Sequence, residues 1–205
     1  MGYTHVMLVL DCEMTGLEPE LHSIVSIGAV DLMNPSRQLY EECRAWEGAK
    51  IEDEALLVNG FSREQVLDAG KQTEGELVHK FIDFTQGMPD TTFAGQNVFT
   101  DMYFLRAAAK RAGHTAWDFA HRIIDIHSLC WEHMVKRGVT PPVNPEKRHS
   151  SLNLEAVARY CGMPEEPKPH NALTGAKYSA EVISRLLYDK QLLPEFEQYE
   201  IPWTS

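Results

Sequence analysis

Asp11 and Glu13 stand two residues apart at the end of the apolar run 6–10. On an extended strand that spacing turns both carboxylates to one face. Paired carboxylates on one face are what hard divalent cations such as Mg²⁺ and Mn²⁺ require. The spacing alone says little, because 30 acidic residues among 205 supply roughly four such pairs by chance. Glu18 and Glu20 form another and carry no such meaning. The Asp11 pair is set apart by the hydrophobic strand before it and by Met14-Thr15-Gly16-Leu17 after it. Asp101 precedes an Ala-rich stretch, where by itself it reads as the cap of a helix beginning at residue 102. His170, one of nine histidines, follows Lys168-Pro169 and leads into Ala172-Leu173. An imidazole there could take a proton near neutral pH.

Composition limits what this chemistry can serve. At 205 residues and 43% hydrophobic content the chain reads as one globular domain, 1–205, with a substantial core. No apolar stretch approaches the roughly 20 residues of a membrane span. The run 6–10 is too short for a signal peptide and has no Lys or Arg before it. Cys12, Cys43, Cys130 and Cys161 show no C-x-x-C pair or zinc-like spacing, so reduced thiols in the cytoplasm are expected. A net charge of −11 argues against a protein that grips long duplexes through phosphates. It leaves room for one that holds a short end through metal ions. Lys136-Arg137, Lys147-Arg148-His149 and Lys168 are local basic clusters around the Pro-rich approach to His170.

The elements that must position these residues follow an α/β order. Strands are expected at 6–10, 24–30, 38–46, 91–94 and 122–126, from apolar runs bounded by turn residues. Ser62-x-x-Gln65 and Thr73-x-x-Glu76 have the capping-box spacing that starts a helix. Helices are expected after Thr73, at 102–111, after the strand 122–126 to about 137, and near 152–161 and 172–188. The segment 138–150, with Pro141, Pro142 and Pro145, reads as a mobile loop. Three strands followed by strands alternating with helices suggest a mixed sheet covered on both faces. Phe196, Tyr199 and Trp203 read as a tail docked on the body.

Asp11-Cys12-Glu13-Met14-Thr15-Gly16-Leu17 resembles the first motif of the DEDDh 3′→5′ exonucleases. Residues 95–105, from Gly95-Gln96-Asn97 through Asp101 to Leu105, resemble the second motif, and Arg122-Ile123-Ile124-Asp125 the strand after it. Ser151-Leu152-Asn153-Leu154 resembles the helix before the last motif, and His170-Asn171-Ala172-Leu173 the start of that motif. The resemblance implies a ribonuclease-H-like α/β fold with a mixed five-stranded sheet and helices on both faces. It implies two-metal phosphodiester hydrolysis at single-stranded 3′ ends or short oligonucleotides, with Mg²⁺ or Mn²⁺ as cofactor, and a homodimer. Asp11, Glu13 and Asp101 would hold metal, and His170 would be the general base. Met14, Thr15, Gly16, Leu17 and Asn97 would contact the terminal nucleotide. Asp125 reads as structural, hydrogen-bonded to loop backbone.

One position departs from that pattern. Five residues after His170 the resemblance calls for a last metal-binding Asp, and the chain has Gly175. Thr174 points elsewhere on a helix, Ser179 is a poor ligand, and Glu181 lies about 240° round the helix from 175. The site of the first ion is therefore incomplete. Either the chain is an exonuclease weakened at one ion, or it is an altered position, or it is an impaired module that binds nucleic-acid ends or a protein partner without cleaving.

Overall fold

The computed structural model describes residues 7–114, 119 and 121–204; Val6, expected to open the first strand, lies outside them. The chain runs β1 (Leu8–Met14), β2 (Ile24–Asp31), β3 (Gln38–Glu42), α1 (Asp53–Asn59), α2 (Arg63–Leu67), α3 (Glu74–Thr85), β4 (Phe93–Gly95), α4 (Phe99–Arg111), β5 (Ile123–Asp125) and α5 (Ile126–Lys136). A hairpin of β6 (Val143–Asn144) and β7 (His149–Ser150) follows, then α6 (Leu154–Tyr160) and α7 (Ala172–Tyr188). The main sheet has the order β3-β2-β1-β4-β5. β1 is antiparallel to β2 and parallel to β4, and β4 is parallel to β5. This is the expected mixed five-stranded sheet.

The period of two along β1 builds the layers. Met7 and Val9 pack into a core shared with Cys130 of α5, Val157 of α6 and Ala176 of α7. Leu8, Leu10 and Cys12 pack on the other face against Leu77 and Phe81 of α3 and Phe104 and Ala108 of α4. Every residue of β2 is buried, as a strand covered on both faces demands. Asp11 and Glu13 share the parity of Val9, so their side chains belong to the α7 face. The tail is docked: the rings of Phe196 and Tyr178 meet edge to face at 4.9 Å, and Trp203 stacks on Tyr160 at 5.2 Å.

Several boundaries differ from the sequence expectations, each for a local reason. Beyond Glu42, the end of β3, the Cys43 N–H still donates to the Val25 carbonyl, but the ladder ends there because Arg44 N–H donates to the Gln72 carbonyl and Ala45 N–H to that of Val66. β4 starts at Phe93 because the Asp90 carboxylate accepts from Thr92 N–H and holds a turn before it. Ile126 belongs to α5, not β5, since Asp125 caps that helix by accepting from Ser128 N–H at 3.3 Å. α6 begins at Leu154 because Asn153 caps it. The segment 138–150 is not simply a loop but carries the β6–β7 hairpin. Both capping boxes form, at Ser62/Gln65 and Thr73/Glu76. Among the described residues no helix is long and apolar enough to cross a membrane.

Candidate active site

The site is assembled where β1 ends under the first turn of α7. Gly28 of β2 is the register partner of Asp11, and a Cβ at Gly28 would overlap the Ala172 carbonyl. Only glycine lets the start of α7 lie this close to the sheet. The Asn171 carboxamide caps α7, accepting from Leu173 N–H at 3.1 Å and Thr174 N–H at 3.2 Å. One turn into the helix, Gly175 lies directly against Asp11: a Cβ there would overlap Oδ2 and come within 2.9 Å of Cγ. Position 175 therefore faces the carboxylates, and glycine offers them nothing.

Asp101 sits in the first turn of α4, and its side chain does not cap that helix. The helix begins earlier, at Phe99. Asp101 Oδ1 instead accepts from Cys12 N–H at 2.8 Å, across 89 residues of chain, tying α4 to β1 between Asp11 and Glu13. His170 is placed by its own N–H, which donates to the Val58 carbonyl at 3.1 Å. Its imidazole is 32% exposed, and Nδ1 lies 3.7 Å from Glu166 Oε2. That is too long for a hydrogen bond but close enough for attraction.

Glu166 was not among the residues singled out from sequence. It is 5% exposed, and its Oε1 is buried without a hydrogen-bond partner. The neighbouring Glu165 points out and pairs with Arg159 at 2.6 Å. Two adjacent glutamates between prolines offer no sequence signal to say which one turns in.

The remaining expected residues divide. Leu17 is 82% exposed at the rim and Met14 is half-buried, its carbonyl accepting from Asn59 Nδ2 at 3.1 Å. Gly16 packs under the His22 ring, whose Cγ a Cβ would approach to 2.7 Å. Thr15 is fully buried; its hydroxyl donates to the Lys50 carbonyl at 2.7 Å and accepts from Ser23 N–H at 2.9 Å. It holds the turn from behind and presents no side chain to a ligand. Asn97 has a left-handed φ of 51° and lines a groove of about 660 Å³ with His127, Asn144, Lys147 and His149. A cavity of about 850 Å³ lined by Asp189, Gln191 and Glu200 contains none of the acidic cluster. Glu181 is spent elsewhere, bound to Arg185 at 2.7 Å and to the amides of Leu192 and Leu193.

Burial and mutual repulsion shape the electrostatics. Burial, then the charges of Asp101, Glu13 and Glu166, hold the Asp11 carboxyl well above its usual range. Burial and then Glu166 push Glu13 up to about 7. Asp101 is raised by burial against the opposing pull of Cys12 N–H. Glu166 is pushed up to about 7 by burial and then by Glu155. Among the described residues, no Lys or Arg forms an ion pair with any of these four. A largely buried acidic cluster with no Lys or Arg ion pair, including one orphaned oxygen, has the donor chemistry that hard divalent cations favour. Among the described residues no group of three or more His, Cys, Asp or Glu side chains is arranged to hold a metal ion, so any ion here would have to be completed by other ligands. Mg²⁺ sites commonly rely on one or two carboxylates, completed by water and substrate phosphate.

The family model RNase_T, described as Exonuclease, matches residues 8–183. The chain belongs to the RNase_T exonuclease family. Within it, the chain is 25% identical over 182 residues to the PolC-type DNA polymerase III of Thermotoga maritima, covering 88% of this chain and 12% of that protein. Its fold is similar to that of E. coli Exonuclease I in complex with a dA16 oligonucleotide, at a TM-score of 0.70 and 18% identity, over 91% of this chain and 41% of that one. Exonuclease I from Methylocaldum szegediense is similar at a TM-score of 0.67 and 18% identity, over 90% of this chain and 41% of that one. A zinc ion bound form of the E. coli Exonuclease I complex with single-stranded DNA aligns at a TM-score of 0.69 and 16% identity, over 90% of this chain and 41% of that one. The chain thus spans less than half the length of these relatives. The shared ribonuclease-H-like fold accounts for the sheet order and for α7 lying over β1 and β2.

Proposed function

We propose that this chain is a metal-dependent 3′→5′ exonuclease acting on single-stranded nucleic-acid ends or short oligonucleotides. The observation that carries this reading is the meeting of Asp11 and Glu13 with Asp101, tied through the Cys12 amide, with His170 next to Glu166, whose charge reaches the same acids. These residues come from β1, α4 and the segment before α7. Asp11, Glu13 and Asp101 would hold Mg²⁺ or Mn²⁺; bound divalent ions lower the pKa of water and stabilise the charge that develops on a phosphodiester. His170 would accept the proton from the attacking water at Nε2, since Nδ1 faces Glu166. The Glu166 carboxylate would stabilise the imidazolium that results. Leu17 and Met14 at the rim, and the groove of Asn97, Lys147 and His149, would guide the end of a strand. The similar Exonuclease I complexes contain DNA oligonucleotides, which supports a single-stranded DNA end as the first substrate to try. The net charge of −11 favours a short grip at an end over a long track of phosphate contacts.

Gly175 favours a second reading, in which the site binds ends without cutting them. A 5′-labelled single-stranded oligonucleotide incubated with Mn²⁺ separates the two. Stepwise shortening from the 3′ end, abolished by EDTA, is the expected result. Retention of the oligonucleotide without shortening would overturn the nuclease reading and leave the binding module.

A further inference from the structure

We propose that the exposed face of α4, formed by Phe99, Tyr103, Arg106 and Lys110, is the track along which a single strand leaves the site, its bases stacked on the two rings and its phosphates set on the two cations. The inference rests on the reading of the acidic site as one that takes a single-stranded nucleic-acid end. The spacing i, i+4, i+7 and i+11 puts the four side chains on one face of the helix, and all four are exposed. That face starts beside the acids. Phe99 opens α4, and Asp101, two residues on and on the opposite side of the helix, accepts from Cys12 N–H at 2.8 Å between Asp11 and Glu13. From Phe99 to Lys110 the stripe runs about 16 Å along the helix.

Phe99 is 49% and Tyr103 42% exposed, and their ring centroids lie 4.3 Å apart at an interplanar angle of 74°. Single exposed hydrophobic residues are ordinary on a protein surface. Two aromatic rings in contact, each almost half open to water, are an uncovered apolar surface. Edge-to-face packing within the pair covers one ring face only. The two cations are free of acids. Among the described residues neither Arg106 nor Lys110 forms an ion pair, whereas the adjacent Arg111 is held by Glu74 at 2.9 Å. The one acid of α4, Asp101, is turned inward. Lys110 suits the negative end of the helix, but Arg106 stands mid-helix and has no such use. In a chain of net charge −11, unpaired cations in line with aromatic rings are complementary to a polyanion that also carries flat apolar surfaces. A single strand of nucleic acid combines the two, and aromatic platforms beside a basic track hold such strands with little regard to sequence.

Fluorescence anisotropy with a 5′-labelled phosphorothioate dT oligonucleotide and Mn²⁺ tests this without reference to activity. Phe99→Leu with Tyr103→Leu keeps the apolar bulk and removes the flat rings. It should weaken binding by about ten- to hundredfold, whereas Tyr103→Phe should bind as the parent does. Arg106→Gln with Lys110→Gln should flatten the dependence of log affinity on log salt by about 0.7 for each cation removed. Thermal unfolding checks that each variant folds, as exposed positions allow. A dinucleotide, held at the acids alone, should bind parent and variants alike; an equal loss on the dinucleotide would put the rings in the site itself and overturn the track. If the parent binds the longer oligonucleotide and both double variants bind it as well, the inference is wrong while the reading of the site stands. Unchanged oligonucleotide binding with loss of self-association in sedimentation would make this face an interface between copies of the chain, which also overturns it. If the parent binds no oligonucleotide, the reading of the site fails and takes the inference with it.

Discussion

Gly175 and Asp11 are in contact through the space that a side chain at 175 would fill: a Cβ there would overlap Oδ2 and come 2.9 Å from Cγ of Asp11. The residue that departs from the family pattern is therefore oriented at the site, and the carboxylate of Asp11 leans into the room glycine leaves.

Gly175→Asp should consequently act in opposite directions with and without metal. In metal-free protein Asp11 must move aside and a further carboxylate joins a buried cluster, so the variant should lose about 1–3 kcal/mol of stability. The gain in helix propensity over glycine, a few tenths of a kcal/mol, is too small to offset that. With Mn²⁺ the added ligand should raise affinity and speed oligonucleotide shortening. Melting curves recorded with EDTA and with millimolar Mn²⁺ check both signs. A variant more stable than the parent in EDTA would contradict the packing.

Acid and base should act on the metal-free protein against the usual carboxylate trend. Glu13 and Glu166 titrate at about 7 in the folded protein and have an ordinary value of 4.5. Between those values the folded state holds more protons than the unfolded one, so stability falls as pH rises from about 4.5 to about 7. The contribution is complete below pH 4.5 and lost above 7. Metal binds the deprotonated carboxylates, so Mn²⁺ affinity should rise over the same window. Denaturant unfolding at a series of pH values in EDTA measures the first effect, and Mn²⁺ titration the second. Metal-free stability that climbed through this window would show that the cluster is not strained by burial.

Asp101→Asn is the cleanest probe of the third acid. The amide keeps an oxygen for Cys12 N–H, now bonded at 2.8 Å, and removes a buried charge. The metal-free protein should therefore be at least as stable as the parent, while the Mn²⁺-induced rise in melting temperature shrinks. An undiminished metal response would confine Asp101 to the structural bond with β1.

His170→Ala should lower turnover by about 10²–10⁴ and leave Mn²⁺ affinity nearly unchanged. His149 is the comparison: it lies exposed on β7, its Nδ1 2.8 Å from the Ser150 carbonyl, and as part of the strand-guiding groove its replacement should weaken oligonucleotide binding and cost far less turnover at saturating substrate than His170→Ala. Initial rates on a labelled oligonucleotide compare them. A larger loss at His149 would move the base to the hairpin.

Gly28→Ala tests how the site is positioned. The added methyl meets the backbone of Ala172, which cannot rotate away as a side chain could. α7 must lift from β2, at a cost of about 1–3 kcal/mol, and Gly175 moves with it from Asp11. Loss of stability together with weakened Mn²⁺ binding is expected from thermal unfolding and titration of one preparation.

What the sequence by itself determined is local. The period of two through Val9, Asp11 and Glu13 set which face the acids occupy. The spacings Ser62-x-x-Gln65 and Thr73-x-x-Glu76 marked two helix starts, and the helix expected near 172–188 is α7. These are encoded by neighbours a few residues apart, so they survive without knowledge of the fold. The tertiary structure alone decided the pairings between distant segments. Asp101 looked able to cap a helix, yet its oxygen goes to Cys12, 89 residues away. Thr15 stands inside the first motif, and it is the packed chain that gives its hydroxyl to Lys50 and Ser23 and leaves no side chain to face a ligand. Of two adjacent glutamates, Glu165 went out to Arg159 and Glu166 went in beside His170. Burial and counter-charge are properties of the packed chain, and a carboxylate's role depends on which of them it meets.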